Sequence, residues 1–427
     1  MEMRVPREDF EVGLEVYKTR SPPLTGRIRK VFEDFVVRER VERDFMKALR
    51  KKRTATHRIS VYHVTRAGRD TPSLARLISS HLHISTSKIR FLGLKDSRAL
   101  SSQIFCVLGS HGDLEAGNFM SFLGWSERMP TKRVLIGNEF EVVIRELERS
   151  FGEAEETLRG FIGEMGVDGL PNFYGYQRFG VFRRLTHLVG EKIVRGRYGE
   201  AVTLYLTHTT ASEPENTRSW RESLRDEGDF RHAYKSAPRR LTYERRMLRE
   251  LVNHPGDYVR AIRAIPNTIR RLIVNAFQSY LFNRVLSARI EENLPLRKPV
   301  RGDFIYDPTR SRITRFKGRR RDIPRCRILI PLFGYGYRPS EGIQGTIEKR
   351  VLGEADVSPR SFYLRDMPEV SGRGGFRPAD LRPTNLLLLH DGRSNIVKSF
   401  FTLEKGSYAT VLLRELIKPS NPFLQGF

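Results

Sequence analysis

The chain has 427 residues, which at roughly 150 residues per domain suggests two or three domains. Hydrophobic residues make up 39% and charged residues 30%, which excludes an intrinsically disordered chain, and no apolar run reaches the ~18 residues that a membrane span needs. The formal charge of +26 indicates a polyanionic partner such as a nucleic acid, and the alternative is a strongly solvated surface without such a partner.

The cysteine content and the N-terminal sequence bear on the cellular compartment. Cys106 and Cys326 are too few for a disulfide framework, and neither lies at a spacing typical of zinc ligands. The first residues lack the apolar segment of a secretory signal. We therefore expect a cytoplasmic protein that binds no metal and does not associate with a membrane.

The first part of the chain reads as strands and one helix. Residues 59–64 are β-branched and aromatic, which predicts a strand. A helix is predicted to follow, with Thr71 as its N-cap and Pro72 at its first helical position. Residues 89–92 and 104–108 look extended, so we interpret the KDSRALSS sequence between them as a loop that joins two strands.

The rest of the chain alternates between strand-like and helical patterns. Residues 134–145 are predicted as strand, turn and strand, and residues 371–383, rich in Gly, Arg and Pro, as an exit linker. Between them the sequence becomes helical and highly charged. The final strand and helix resemble the first part, so we expect the C-terminus to return to it. The predicted domains are residues 1–188 and 376–427 for one catalytic domain and residues 189–375 for an insertion.

Common catalytic motifs are missing from the sequence, including the P-loop, HExxH, GxSxG and the dinucleotide fingerprint. A carboxylate in the KDSRALSS loop is the clearest remaining candidate. Asp96 lies between Lys95 and Arg98, and a nearby cation would keep this carboxylate ionised and ready to act as a nucleophile. The alternative is that Lys-Asp forms an ordinary solvated turn.

A second candidate is the aromatic segment PNFYGYQRFG. Rings such as Tyr174, interleaved with the donors of Asn172, Gln177 and Arg178, suit an unstacked RNA base. The alternative is an aromatic loop that seals the core, and we favour that interpretation for Phe179.

Taken together, these segments resemble the TruD family of tRNA pseudouridine synthases, and five landmarks occur in the family's order. The landmarks are Arg29 with Glu33 to Val37, the KDxxAxSxQ motif from Lys95 to Gln103, Gly137 to Phe140, Asn172 to Gly180, and Gly406 to Leu416. A QSYLFN sequence at residues 278–283 also fits. Two departures are Ser97, where many members carry a basic residue, and the order Phe173-Tyr174 in place of Tyr-Phe.

The resemblance implies an α+β pseudouridine synthase fold with a curved mixed or antiparallel sheet, interrupted by a family-specific α+β insertion domain. It implies conversion of uridine to pseudouridine in tRNA, at position 13, with Asp96 as nucleophile and Arg29 as its ion-pair partner. Asn172 and Tyr174 would border the flipped base. The other implied substrate-binding residues are Lys95, Gln103, Gln177 and Arg178.

No cofactor, metal ion or obligatory protein partner is implied, and tRNA is the implied partner. Two other functions remain open at this point. The chain could be a tRNA- or rRNA-binding protein that kept the fold without the catalysis. It could also be an RNA glycosidase or nuclease, which would remove a base or cleave the strand.

Overall fold

The computed structural model describes residues 4–52, 54, 58–95, 98–109, 111–112, 119–180, 183–210, 213–319 and 326–427. The strands are β1 Phe35–Val41, β2 Ile59–Arg66, β3 Ile89–Phe91, β4 Leu100–Leu108, β5 Met120–Ser126, β6 Leu135–Ile144, β7 Leu170–Pro171, β8 Phe304–Asp307, β9 Arg312–Arg315, β10 Arg327–Leu332, β11 Gly375–Pro378, β12 Asp380–Leu381, β13 Thr384–Asp391 and β14 Ile396–Glu404. The helices are α1 Arg7–Phe10, α2 Arg43–Ala48, α3 Thr71–His81, α4 Phe151–Asp168, α5 Thr186–Val194, α6 Tyr198–Thr207, α7 Glu215–Glu227, α8 Phe230–Ser236, α9 Thr242–Asn253, α10 Tyr258–Arg263, α11 Asn267–Glu291, α12 Gly342–Glu354 and α13 Ala409–Ile417.

The chain forms two compact units. The sheet unit comprises Thr19–Gly166 and Leu381–Phe427, and the helical unit comprises Met1–Lys18 and Val167–Asp380. Both the first and the last part of the sequence thus contribute to the sheet unit. The domain limits proposed from the sequence, residues 188/189 and 375/376, stay predictions.

The sheet unit is built on a mixed sheet that has eight strands among the described residues. Their order is β13-β14-β6-β1-β4-β2-β5, and β3 also pairs with β4. Strands β1 and β4 run parallel, whereas the other neighbouring pairs are antiparallel. The predicted α+β class with a mixed sheet is therefore confirmed.

Strand β4 is buried on both of its faces. Phe105 and Val107 belong to one apolar cluster, together with Leu74 of α3, and Ile104 and Cys106 belong to another. Because side chains alternate along a strand, a strand covered on both faces reads as a nearly continuous apolar run. This accounts for the sequence of β4. Its N-terminal end directly follows residues 95–99, named the KD segment below.

The prediction of strand, turn and strand for residues 134–145 is wrong, because β6 is one continuous strand. It pairs with β1 on one side and with β14 on the other. A Cβ atom added at Gly137 would lie 2.2 Å from the carbonyl oxygen of Leu403. This glycine therefore permits a close approach of two backbones and does not form a turn.

The prediction of Thr71 as a helix N-cap is also wrong. The N-cap of α3 is Asp70, whose side chain accepts a hydrogen bond of 2.8 Å from the backbone N–H of Ser73. Thr71 is the first helical residue, and its hydroxyl contacts Gln103 instead. An aspartate is as good a capping residue as threonine, so the spacing alone did not distinguish the two.

The helical unit contains a four-stranded antiparallel sheet in the order β11-β10-β8-β9. Its strand β11 lies within residues 371–383, so the prediction of an exit linker is wrong. A Cβ atom at Gly374 would lie 2.5 Å from the carbonyl oxygen of Leu332, and Gly374 has a φ of +82°. Gly374 thus reflects close packing of the backbone.

Among the described residues, no helix is both long and apolar enough to cross a membrane.

We predict that Gly137→Ala destabilises the sheet unit by about 1–3 kcal/mol or more, because the added methyl group would collide with a backbone carbonyl that cannot rotate away. The matched control is Gly163→Ala in α4, where a Cβ atom meets nothing within 4 Å. Alanine there should stabilise the helix by about 0.5–1 kcal/mol. Urea unfolding followed by circular dichroism measures both effects, and equal midpoints for the two variants would contradict the prediction.

Candidate active site

Asp96 and Ser97 lie outside the described residues, but the residues on both sides of them are described. Lys95 Nζ lies 2.9 Å from Glu39 Oε1 of β1, and the two side chains are 9% and 1% exposed. The second oxygen of Glu39 accepts a hydrogen bond of 2.9 Å from the backbone N–H of Ile104. Gly93 leaves room for this pair, since a Cβ atom there would lie 2.7 Å from Glu39 Oε1. The N-terminal flank of the KD segment is therefore anchored to the sheet.

Thr71 joins the two ends of the KDxxAxSxQ motif. Its hydroxyl accepts a hydrogen bond of 2.8 Å from the backbone N–H of Lys95 and donates one of 2.9 Å to Gln103 Oε1. Gln103 is fully buried and donates in turn to Ser101 Oγ at 3.2 Å. The structure thus brings Lys95 and Gln103 together through Thr71. The contacts of Gln103 are internal to the protein and hold the two ends of the motif in place.

Two arginines converge near the end of the chain. Arg29 Nη1 donates to the carbonyl oxygen of Gly426 at 2.8 Å, and Arg98 Nη1 to that of Phe427 at 3.4 Å. The Arg29 guanidinium also lies 4.0 Å from the ring centroid of Phe35, a favourable cation–π distance. Since Gly426 and Phe427 are adjacent in sequence, Arg29 and Arg98 donate to the same short stretch of backbone. Arg98 is the cation two residues beyond Asp96.

The hydroxyl of Ser102 is used within the sheet. It lies 2.6 Å from His63 Nε2 and 2.9 Å from the Thr65 hydroxyl. Burial lowers the pKa of His63 below its ordinary value, although the negative charge of Glu39 acts in the opposite direction. A neutral imidazole is therefore favoured here, and Ser102 contributes to the pairing of β2 with β4.

The aromatic segment lies in the helical unit. Phe173 and Phe179 are fully buried, as predicted for Phe179. The Tyr176 hydroxyl donates a hydrogen bond to the buried carboxylate of Asp9. Gln177 is half-buried within a short 3₁₀ turn.

Asn172 is 2% exposed, and its side chain serves the protein interior. Its Nδ2 donates to the carbonyl oxygen of Pro378 at 3.1 Å, and its Oδ1 accepts from Arg377 Nη2 at 2.9 Å. Arg377 also donates to the backbone carbonyls of Asn172 and Phe173. Its guanidinium lies 4.1 Å from the ring centroid of Tyr174. Asn172 thus helps to place a cation against Tyr174.

Helix α11 holds the backbone and one cation of the same segment. Asn283 Oδ1 accepts from the N–H of Tyr174 at 2.8 Å, and Asn283 Nδ2 donates to the Tyr174 carbonyl oxygen at 3.0 Å. Ser279 Oγ accepts from Arg178 Nε at 2.9 Å. The Arg178 guanidinium lies 5.5 Å from the Tyr174 ring centroid. The structure therefore brings Asn172, Tyr174 and Arg178 into one cluster, with the QSYLFN sequence as its support.

The sequence interpretation missed Glu39 and Arg377. A glutamate between two arginines was the available signal for Glu39, but its partner Lys95 is 56 residues away in sequence. Arg377 was hidden because its segment was interpreted as a linker. Neither partnership could be read from local spacing.

No group of three or more His, Cys, Asp and Glu side chains within the described part of the chain is arranged to hold a metal ion. Among the described residues, the groups around this segment are the Glu39 carboxylate, the cations of Lys95 and Arg98, and the amide of Gln103. The Glu39 carboxylate is already used in the ion pair with Lys95 and in the hydrogen bond from Ile104.

A family model described as tRNA pseudouridine synthase D (TruD) matches residues 11–416. A relative from Methanosarcina mazei, named "Probable tRNA pseudouridine synthase D", is 33% identical over 97% of this chain and 98% of its own length. Relatives of the same name from Pyrobaculum arsenaticum and Methanopyrus kandleri are 34% and 35% identical, over 99% and 84% of this chain and 99% and 85% of their own lengths.

A crystal structure from Methanosarcina mazei, named "Putative tRNA pseudouridine synthase D (TruD)", superimposes with a TM-score of 0.79 at 32% identity, covering 99% of this chain and 100% of that one. Likeness of sequence and of fold therefore extends over nearly the whole length of both proteins. This chain belongs to the tRNA pseudouridine synthase D (TruD) family of isomerases.

Proposed function

We propose that this chain converts uridine to pseudouridine in tRNA, at position 13, with Asp96 as the nucleophile. The observation that carries the proposal is the anchoring of both flanks of Asp96. Lys95 and Gln103 are fixed through Glu39 and Thr71. The names of the relatives agree with the proposal, and the charge of +26 suits a tRNA partner.

The isomerisation breaks the bond between uracil N1 and ribose C1′, turns the base, and joins C5 to C1′. The proton released from C5 is balanced by one gained at N1, so water is not consumed. A single carboxylate suffices, because uracil is both the leaving group and the returning partner, unlike ordinary glycoside hydrolysis with its two carboxylates. Asp96 either attacks C1′ or removes a sugar proton to give a glycal, and both routes begin from an ionised carboxylate.

Arg29 is the proposed ion-pair partner of that carboxylate. A buried carboxylate without a nearby cation would have a raised pKa and become neutral. The contact of Arg29 with Gly426, next to the Phe427 that Arg98 contacts, supports this role. The two arginines would together favour the charged form of Asp96.

Tyr174 is the proposed stacking ring for the extruded uracil. Extrusion costs a few kcal/mol of unstacking, which contact with an aromatic ring offsets. Arg377 and Arg178 fix this ring, and Asn172 acts by holding Arg377. Gln177 and Arg178 complete the proposed substrate-binding set in this segment.

The first prediction from the proposed function concerns the nucleophile. Asp96→Asn should abolish pseudouridine formation and leave tRNA affinity intact, because the amide is neither a nucleophile nor a base. Tritium release from tRNA labelled at uridine C5 measures the reaction, and filter binding measures affinity. Asp226→Asn, which changes an exposed carboxylate on α7, is the matched control and should keep full activity.

Appreciable turnover by Asp96→Asn would remove Asp96 from its proposed role. A wild-type protein that releases no tritium yet binds tRNA would indicate a non-catalytic RNA-binding protein. Base loss or strand cleavage, visible on denaturing gels, would indicate a glycosidase or a nuclease.

The second prediction concerns the Lys95–Glu39 pair. Lys95→Met should destabilise the protein by about 3–5 kcal/mol, because it leaves the Glu39 carboxylate buried without its cation. The double variant with Glu39→Gln should recover most of this loss, since no buried charge remains. Thermal unfolding of the two variants is the measurement. A double variant no more stable than Lys95→Met would show that the pair is not the cause.

The third prediction separates the ring of Tyr174 from its hydroxyl. Base–aromatic stacking contributes about 1–3 kcal/mol, so Tyr174→Ala should lower kcat/KM by roughly 5- to 150-fold. Tyr174→Phe keeps the ring and should retain most of the activity. Equal losses in the two variants would assign the function to the hydroxyl, and melting temperatures show whether each variant is folded.

A further inference from the structure

The helical unit contains a cavity of about 360 Å³ that is lined by three separate segments of the sequence. Tyr174 and Arg178 come from the aromatic segment, and Gln278 and Ser279 come from the QSYLFN helix. Gly372–Gly374, from the stretch interpreted as a linker, form another wall. The cavity is within the range of 300–1,000 Å³ typical of small-molecule sites, at its lower end, which fits one nucleotide.

The charge of the cavity wall is uniformly positive. Arg178, Arg271 and Arg373 line it, and none of its lining residues is acidic. Arg271 and Arg373 are exposed, and neither forms an ion pair within the described part of the chain. Arg271 Nε donates to the carbonyl oxygen of Glu369 at 3.1 Å, which fixes the direction of its side chain. These cations are therefore available to an anion from solvent.

The glycine wall is close to the helix beneath it. A Cβ atom at Gly372 would lie 2.8 Å from Gln278 Nε2, so a side chain there would displace Gln278. Gln278 in turn donates a hydrogen bond to the carbonyl oxygen of Phe333, next to β10. The absence of side chains at Gly372 and Gly374 keeps the cavity open and lets a ligand approach the backbone.

We propose that this cavity binds one nucleotide of the tRNA, with a backbone phosphate held by Arg271 and Arg373. Guanidinium groups match phosphate in geometry as well as in charge. The Tyr174 ring and the Arg178 guanidinium provide flat surfaces on which an unpaired base or its ribose packs. The inference rests on the proposed function for the identity of the RNA and adds Arg271 and Arg373 as tRNA-binding residues.

The test compares tRNA binding by the full-length protein and by the double variant Arg271→Ala/Arg373→Ala over a series of salt concentrations. Each phosphate contact with a single strand contributes about 0.7 to the slope of log K against log salt. We expect the slope to fall by about this amount or more and the Kd at fixed salt to rise several-fold.

The matched control is Arg239→Ala/Arg249→Ala, which removes the same charge from exposed positions of the same unit outside the cavity. It should leave the slope nearly unchanged. A second variant, Arg271→Lys/Arg373→Lys, keeps both charges and should retain most of the slope. The proposal is overturned if the slope falls equally in the alanine variant and in the control, or if it does not fall in the alanine variant.

Failure of the inference differs from failure of the proposed function. A wild-type protein that forms no pseudouridine contradicts the function, whereas the binding comparison still reports on the cavity. Normal pseudouridine formation with unchanged slopes in the alanine variant contradicts the cavity assignment alone.

Discussion

The buried ion pair between Lys95 and Glu39 is the constraint on which the arrangement of the KD segment depends. Burying two charges is costly, and their attraction repays the cost only when the geometry is good and the remaining donors and acceptors are satisfied. Both conditions hold here, because Glu39 also accepts from the N–H of Ile104 on β4. The pair links β1 to Lys95, and Thr71 of α3 accepts from the backbone N–H of the same residue. Asp96 is the next residue in the sequence.

Buried polar side chains also fix the aromatic segment of the helical unit. Buried Asn172 and Asn283 satisfy backbone groups and one guanidinium, and Tyr174 is held as a result. Buried polar groups are costly when they lack partners, so such networks define one geometry more sharply than apolar packing does. Several residues that a motif suggests as substrate ligands are therefore better understood as residues that position others. Gln103 in the sheet unit follows the same pattern.

Strands β2, β3 and β4, helix α3, and the final strand and helix could be predicted because their sequences follow local periodicity. Two of the errors arose at glycines, because a glycine can permit either a turn or a close approach of two backbones. Gly137 suggested a turn but permits β6 and β14 to approach, and Gly374 suggested a linker but lies in a close backbone contact with Leu332. The candidate site was predictable only as a set of motifs. Its partners Glu39 and Arg377 were not, because their contacts cross 56 and 205 residues of sequence and depend on the folded sheets.

The arginines of the chain fall into a buried group and an exposed group. Arg221, Arg289 and Arg377 are buried and are used in internal ion pairs or hydrogen bonds, so they contribute little to the attraction of a polyanion. The part of the +26 that attracts tRNA must come from exposed residues, since a phosphate is bound only by a cation that it can reach. Arg271 and Arg373 meet that requirement, and they lie beside a ring and open glycines that suit a nucleotide. Net charge thus indicates the class of partner, and the separation of buried from exposed arginines shows which of them a partner in solution can reach.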